Sequence, residues 1–433
     1  MATINTDPPR GMRDLLPHQV NLRDWASSVI QNTYRKFGFT RIETPVMENI
    51  QHLRGAEGGE NLQLIYEVLK RGDKLDKVLE ANPVNRDSLA DLGLRFDLTV
   101  PLVRYYSNNN ANLPTPLKSI QIGSVFRAES PQRGRFRQFT QCDIDIIGVK
   151  SEFAEMELIN ATAEALYGLG FTNFQILIND RRFLSALAEN CGFTSERVSA
   201  VFIALDKLDK IGLDKVLEEL MAVTSDEAAV AKLTAVLKNY LEKQDKGQLS
   251  FADMQEIFPE LFASDYMQAL QKIIAAVESS SEGRYQIRFD PTLVRGMGYY
   301  TGPIFEVKNP GYSGSIAGGG RYDKMVGKFS GREVPACGFS IGFERVIDIL
   351  TENGFHPPVE AKRIALVVDP DRDNGADVLK AAAKLRSEGD LVSIEPRKKD
   401  MKKQLDALLE HGYTQYCAYR GDPNNLELKT LSR

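Results

Sequence analysis

SIQIGSVFR (residues 119–127), AESPQRGR (128–135) and FRQFTQCDIDIIGV (136–149) follow one another without a break, and their reading decides the fold. Two apolar, β-branched runs flank a polar, basic segment, which predicts a long antiparallel hairpin with a basic loop. On the second strand, period two puts Arg137, Phe139, Gln141, Asp143 and Asp145 on one face and Thr140, Cys142, Ile144 and Ile146 on the other. Asp145 stands between Ile144 and Ile146, a poor position for a turn or capping acid. One face of this strand is therefore polar in the middle of a sheet.

Upstream, Leu22, Trp25, Ala26, Val29, Ile30, Thr33 and Phe37 recur at helical spacing and Gly38 follows, so residues 18–37 read as an amphipathic helix with a glycine C-cap. FTRIETPVME comes next as a strand that Pro45 confines to an edge or a bulge, where a second subunit could pack. LGLRFDLTVPLVRYY sets Asp97 and Thr99 two apart, on one face if extended and on neighbouring turns if not.

Downstream, residues 151–167 read as a helix and FQILIND as a strand. Residues 181–283 form a helical insertion, with a capping box at Thr224 and Glu227 ahead of Val230, Leu233, Val236, Leu237, Tyr240 and Leu241. Strand character returns in RYQIRFDPTLVRGMGYYTGPIFEV, SGSIAGGGRYD and PACGFSIGFERVIDIL, the last a strand running into a helix. These segments divide one core into residues 1–180 and 284–355 around the insertion. GFHPPVEAKR, with paired prolines, reads as a linker. Residues 362–433 then show βαβαβ order, a small α/β domain with a mainly parallel sheet.

At 433 residues the chain is long enough for two or three domains, and its composition is that of a globular protein. A net charge of −5 supplies no general basic field, so RNA contact would depend on local patches such as Arg397, Lys398, Lys399, Lys402 and Lys403. The start, MATINTDPPRGMRDLLP, is not a secretory signal and no run approaches membrane-spanning length, which predicts a cytoplasmic protein. Cys142, Cys191, Cys337 and Cys417 are scattered, and with four His they suggest neither a disulfide framework nor a metal site.

GxxxxGK[ST] and GxGxxG are both absent, so any bound nucleotide must have its phosphates held by arginines. GFSIG (338–342) matches a hydrolase elbow, but glycines at a strand-to-helix turn have close backbone packing as the plainer explanation.

FRAESPQRGRFRQFTQCDID, LVRGMGYYTG, AGGGRYD and GFSIGFERV occur in that order, and with PRGMRDLLP at the start the sequence resembles the histidyl-tRNA synthetases over nearly its whole length. TPVME looks like motif 1 of class II synthetases, the hairpin like motif 2 and GFERVIDIL like motif 3. RGMGYY and AGGGRYD resemble the two histidine-specific signatures. The resemblance implies an α+β fold: a class II antiparallel-sheet catalytic core with a helical insertion and an α/β anticodon-binding-like domain, ending at LELKTLSR short of that domain's last helix.

It also implies ATP and L-histidine as substrates, Mg²⁺ with the triphosphate, tRNA(His) as acceptor and a homodimer. The substrate carboxylate ionises at about pH 3.5 and needs no general base, so catalysis reduces to positioning and charge neutralisation, for which planar guanidiniums are suited. By motif position, Arg127 and Arg295 meet the α-phosphate and Arg345 the γ-phosphate. Glu129 meets the adenine end, Phe139 stacks on the base, and Arg135 reaches the outer phosphates. Asp145 accepts from the imidazole, with Tyr299 or Tyr300 as its hydrogen-bonding companion, and Asp97, Thr99 and Gln141 receive the α-amino end. Gly298 replaces an acid found in many relatives, so amino-group recognition is reorganised there or left to Asp97. The competing reading is a histidine-binding regulatory subunit of ATP phosphoribosyltransferase; such relatives typically lack the carboxy-terminal module and often the arginines, and this chain has both.

Overall fold

The computed structural model describes residues 4–432 apart from 57–58, 82, 133, 246–248, 297, 313 and 359–360. Two compact units result, Met1–Phe355 and His356–Arg433. Along the chain the strands are β1 (Thr40–Arg41), β2 (Met47–Asn49), β3 (Glu67–Leu69), β4 (Ala90–Leu94), β5 (Leu117–Phe126), β6 (Gln138–Ile147), β7 (Gln175–Asp180), β8 (Gln286–Phe289), β9 (Pro303–Lys308), β10 (Ser315–Arg321), β11 (Ala336–Gly342), β12 (Arg363–Val368), β13 (Leu391–Pro396), β14 (Gln415–Ala418) and β15 (Lys429–Thr430).

The first unit is built on an eight-stranded sheet in the order β1-β5-β6-β11-β10-β9-β7-β8. Its pairs are antiparallel except for β1 with β5 and β7 with β8. This is the α+β architecture that the resemblance to class II synthetases implies. The hairpin β5–β6 runs in register from Leu117↔Ile147 to Phe126↔Gln138. Cys142, Ile144 and Ile146 join Ala26, Ile30 and Tyr34 of helix Pro17–Lys36 and Leu158, Ala161 and Ala165 of helix Phe153–Gly168 in one core. Their alternation on β6 thus has its physical cause: one face packs on helices and the other stays polar. The helices between Arg181 and Ser281 pack into that same core through Phe183, Leu187, Phe202, Tyr240 and Met267. A three-stranded sheet, β2-β4-β3, stands beside the large one.

In the second unit the order is β13-β12-β14-β15, parallel except for the edge pair β14–β15. Leu366 and Val368 pack on helix Gly375–Ser387, while Ala365 and Val367 pack with Leu408 of helix Met401–Glu410. Among the described residues no helix is long and apolar enough to cross a membrane.

Two local expectations differ, and one alternative left open at Asp97 and Thr99 is decided. Pro45 lies outside any strand: the segment pairs as β1 and β2 on either side of it, because proline cannot donate to a ladder. Thr224 does not cap the helix Glu227–Asp245; it ends the preceding helix, and its hydroxyl bonds the Leu220 carbonyl at 2.7 Å. Asp226 does the capping, accepting from the Ala229 amide at 3.1 Å. Residue 99 is helical, since helix Thr99–Asn109 begins two residues after Asp97.

Candidate active site

The polar side of the large sheet is floored by glycine. Register places Gly338, Ser340 and Gly342 of β11 against Asp145, Asp143 and Gln141 of β6, and Gly318 and Gly320 of β10 against Ser340 and Gly338. A Cβ at Gly338 would collide with Asp145 Oδ1, one at Gly318 with the Arg295 guanidinium, and one at Gly320 with the Tyr300 ring. Gly338 and Gly318 therefore leave room for the Asp145 and Arg295 side chains to lie on the sheet, and Gly320 for the Tyr300 ring.

Asp145 is 3% exposed. Its Oδ1 accepts from the Tyr322 hydroxyl at 2.6 Å and its Oδ2 has no hydrogen-bond partner. Burial pushes this carboxyl up to about 7 against the pull of the Tyr322 hydroxyl, with the charge of Asp97 adding to the rise. The hydroxyl that donates to Asp145 thus comes from Tyr322 of AGGGRYD, in place of the expected Tyr299 or Tyr300. Tyr299 and Tyr300 make an edge-to-face pair at 4.9 Å, and Tyr299 meets the Tyr322 ring at 6.1 Å.

Asp97 accepts from the Val100 amide at 3.1 Å and so starts the helix that Thr99 opens. Burial raises its carboxyl to about 6, opposed by that amide, Arg127, the Thr99 amide and Tyr299. Asp143 is held well above the carboxylate range by burial and by the neighbouring charge of Asp145. Gln141 Nε2 lies 3.4 Å from Asp143 Oδ2 and 3.5 Å from Ser340 Oγ, and its Oε1 is buried without a partner. Asp97, Gln141, Asp143 and Asp145 are thereby gathered on one face.

The arginines form two connected groups. Arg127, just past β5, donates through Nε to the Phe96 carbonyl at 3.0 Å and lies 5.0 Å over the Phe139 ring. Arg295 pairs with Glu306 at 2.9 Å, and its Nε is buried without a partner. Burial opposes its charge, yet Tyr300 and Glu306 hold it above the ordinary guanidinium value. Arg345, in the first turn of helix Phe343–Glu352, donates to Ser315 and is lowered by burial and by the charges of Arg135 and Arg295. Arg135 lies in the hairpin loop, 3.6 Å from Glu129. Acids and tyrosine join the groups: Asp143 senses Arg127, and Tyr300 senses both Arg295 and Asp143. Gly298 is open, since a Cβ there would meet nothing within 4 Å.

Besides Tyr322, sequence reasoning missed Arg95. Its guanidinium donates to the Thr44 carbonyl at 2.8 Å and to the Ser124 carbonyl at 2.9 Å, tying the segment before Pro45 to β5 over Gly123. The signal was there in RFDLT, two residues before Asp97, but period and spacing assign it no partner.

A face carrying orphaned buried acceptors at Asp97, Gln141 and Asp145 beside the guanidiniums of Arg127, Arg295 and Arg345 suits a ligand with a donor-bearing ring at one end and phosphates at the other. The sequence profile described as histidyl-tRNA synthetase matches residues 11–346. The chain belongs to the histidyl-tRNA synthetase family. It is 43% identical over 432 residues to the histidine–tRNA ligase of Leifsonia xyli, covering 98% of each chain. It is 36% identical to the histidine–tRNA ligase of Cytophaga hutchinsonii over 92% of this chain and 88% of that one. The crystal structure of histidyl-tRNA synthetase from a Nostoc species superposes with a TM-score of 0.76 at 27% identity, covering 99% of this chain and 95% of that one.

Proposed function

We propose that this chain activates L-histidine with ATP and transfers the histidyl group to the 3′ end of tRNA(His). In the first step a carboxylate oxygen of histidine forms a bond to the α-phosphorus, and the bond to pyrophosphate breaks. In the second, a ribose hydroxyl of the tRNA attacks the histidyl carbonyl, gives up its proton and expels AMP.

One arrangement carries the reading: Asp145, a buried acid with an open acceptor oxygen at Oδ2, lies on the face where Gly318 and Gly342 make room for Arg295 and Arg345, and Arg127 acts on its neighbour Asp143. An acid in that setting gains most from a ring N–H, and a ring without that donor leaves it unpaired at a cost of about 1–3 kcal/mol. Tyr322 orients Asp145. Asp97, with Thr99 and Gln141, takes the α-amino group, Gly298 supplying no acid, and Tyr299 and Tyr300 wall the imidazole. Arg127 and Arg295 neutralise charge on the α-phosphate as it becomes five-coordinate, and Arg345 and Arg135 take the outer phosphates. Phe139, stacked against Arg127, receives the base, and Glu129 the adenine amino end. Mg²⁺ arrives with the triphosphate as part of the nucleotide substrate and neutralises its charge.

Residues 181–283 serve as a helical insertion domain and residues 362–433 bind the tRNA, the exposed run from Arg397 to Lys403 facing its phosphates. The protein works in the cytoplasm as a homodimer, through β1 and the exposed Leu16, Val46 and Met47. Histidine-dependent exchange of labelled pyrophosphate into ATP tests the assignment. Folded protein that binds histidine without exchange would instead be a regulatory subunit.

A further inference from the structure

PRGMRDLLP has no part in the chemistry above, yet it is bound both to the hairpin loop and to the helix bearing Arg345. The Gly11 carbonyl accepts from the Arg137 amide at 2.8 Å, and the Arg10 carbonyl from Arg137 Nη1 at 3.4 Å. Gly11 has φ of 83°, and a side chain there would strike Arg137 and Pro131, so glycine lets the segment lie flat on the loop. Arg13 then spans two elements. Its guanidinium sits 3.9 Å over the Phe136 ring in the hairpin and donates to Glu344, the neighbour of Arg345.

Glu344 also accepts from Arg23 at 2.7 and 2.8 Å and from the Thr140 amide at 3.0 Å. Arg23 alone therefore matches the charge of this carboxylate. What Arg13 adds is a mechanical link between Phe136 and the helix Phe343–Glu352.

We infer that residues 10–13 form a strap that fixes the hairpin loop against the helix carrying Arg345, with Arg13 as a positioning residue for the nucleotide step. The loop carries Arg135, whose charge reaches Arg345. Two guanidiniums that must meet one triphosphate gain from a fixed separation, because ordering them is then complete before the nucleotide binds. The kinetic half of this inference rests on the proposed function; the structural half does not.

The test uses the full chain with Arg13→Ala, Arg13→Lys, Phe136→Leu and the Arg13→Ala/Phe136→Leu pair. Amide hydrogen exchange at Arg137 reads the strap directly: Arg13→Ala is expected to speed it about tenfold with an unchanged unfolding midpoint. In pyrophosphate exchange the KM for ATP should rise about fivefold while that for histidine stays level, Arg13→Lys should recover part of the loss, and the double variant should be no worse than the poorer single. Unchanged protection at Arg137, equal losses for ATP and histidine, or multiplying losses in the double variant would each overturn the strap. If the wild-type chain shows no pyrophosphate exchange, the functional reading fails, and protection at Arg137 still decides the strap.

Discussion

In the carboxy-terminal unit both faces of the sheet are apolar, Leu366 and Val368 on one side and Ala365 and Val367 on the other, and Gln404 is the polar side chain fully buried there among the described residues. The large sheet of the first unit keeps one apolar face and places Asp143 and Asp145 on the other, where the charge of Asp97 reaches both; each of the three stands above its ordinary carboxyl range and two of them have an oxygen lacking a partner. Burying an unpaired polar group costs about 1–3 kcal/mol, and the first unit places that cost on carboxyl groups, whereas the unpaired buried groups of the second, among the described residues, are the neutral Gln415 amide oxygen and Tyr419 hydroxyl. The difference teaches where to look for chemistry: the region that departs from good packing holds the groups a ligand must satisfy.

The contrast is broken most severely at Arg295. Arg295→Ala should cut pyrophosphate exchange about a thousandfold while calorimetry shows histidine binding mostly intact; equal loss of both would remove Arg295 from the phosphate end. Asp145→Asn should lower kcat/KM for histidine about a hundredfold, since the amide can no longer serve the ring as an ionised acceptor. Wild-type kinetics would take residue 145 out of the site. Gly318→Ala tests the glycine floor: the added methyl meets the flexible end of Arg295, so the fold should survive while exchange falls about tenfold. Loss of the folded state instead would make that glycine a packing residue alone.

The acids also predict a pH dependence. The folded-state carboxyl of Asp145 is raised from 3.8 to about 7, so the folded chain binds the extra proton in that window. Its contribution to stability is full below pH of about 4 and is lost as pH rises through about 7. Denaturant titrations of the ligand-free protein should show Asp145→Asn flattening this slope and raising stability near pH 8; an unchanged slope would mean that the carboxyl ionises freely. The smallest effect belongs to the second unit. Replacing Lys398, Lys399, Lys402 and Lys403 by Gln should leave pyrophosphate exchange alone and raise the KM for tRNA several-fold, more so at low salt. A drop in exchange would place the run near the catalytic face.

The hairpin was legible because a strand's two-residue period is a local property: Cys142, Ile144 and Ile146 did enter the core, and Gln141, Asp143 and Asp145 share the other face. The helical run 181–280 and the alternation of strand and helix after residue 362 were legible for the same reason. Capping was less so. Thr224 and Glu227 have the spacing of a box, but the buried Thr224 hydroxyl found the Leu220 carbonyl first, and Asp226 took over.

By itself, then, the sequence determined the polar and apolar faces of the hairpin, the order of the motifs and the residue types available for chemistry, since all of these are written in spacing along one chain. Only the tertiary structure decided which of three tyrosines donates to Asp145, for Tyr322 lies 177 residues away. It likewise decided that Arg95 anchors the Thr44–Pro45 segment and that Arg13 bridges the hairpin to Glu344, 331 residues on. A hydrogen bond depends on where two atoms stand, and strand register, rather than distance along the chain, sets that.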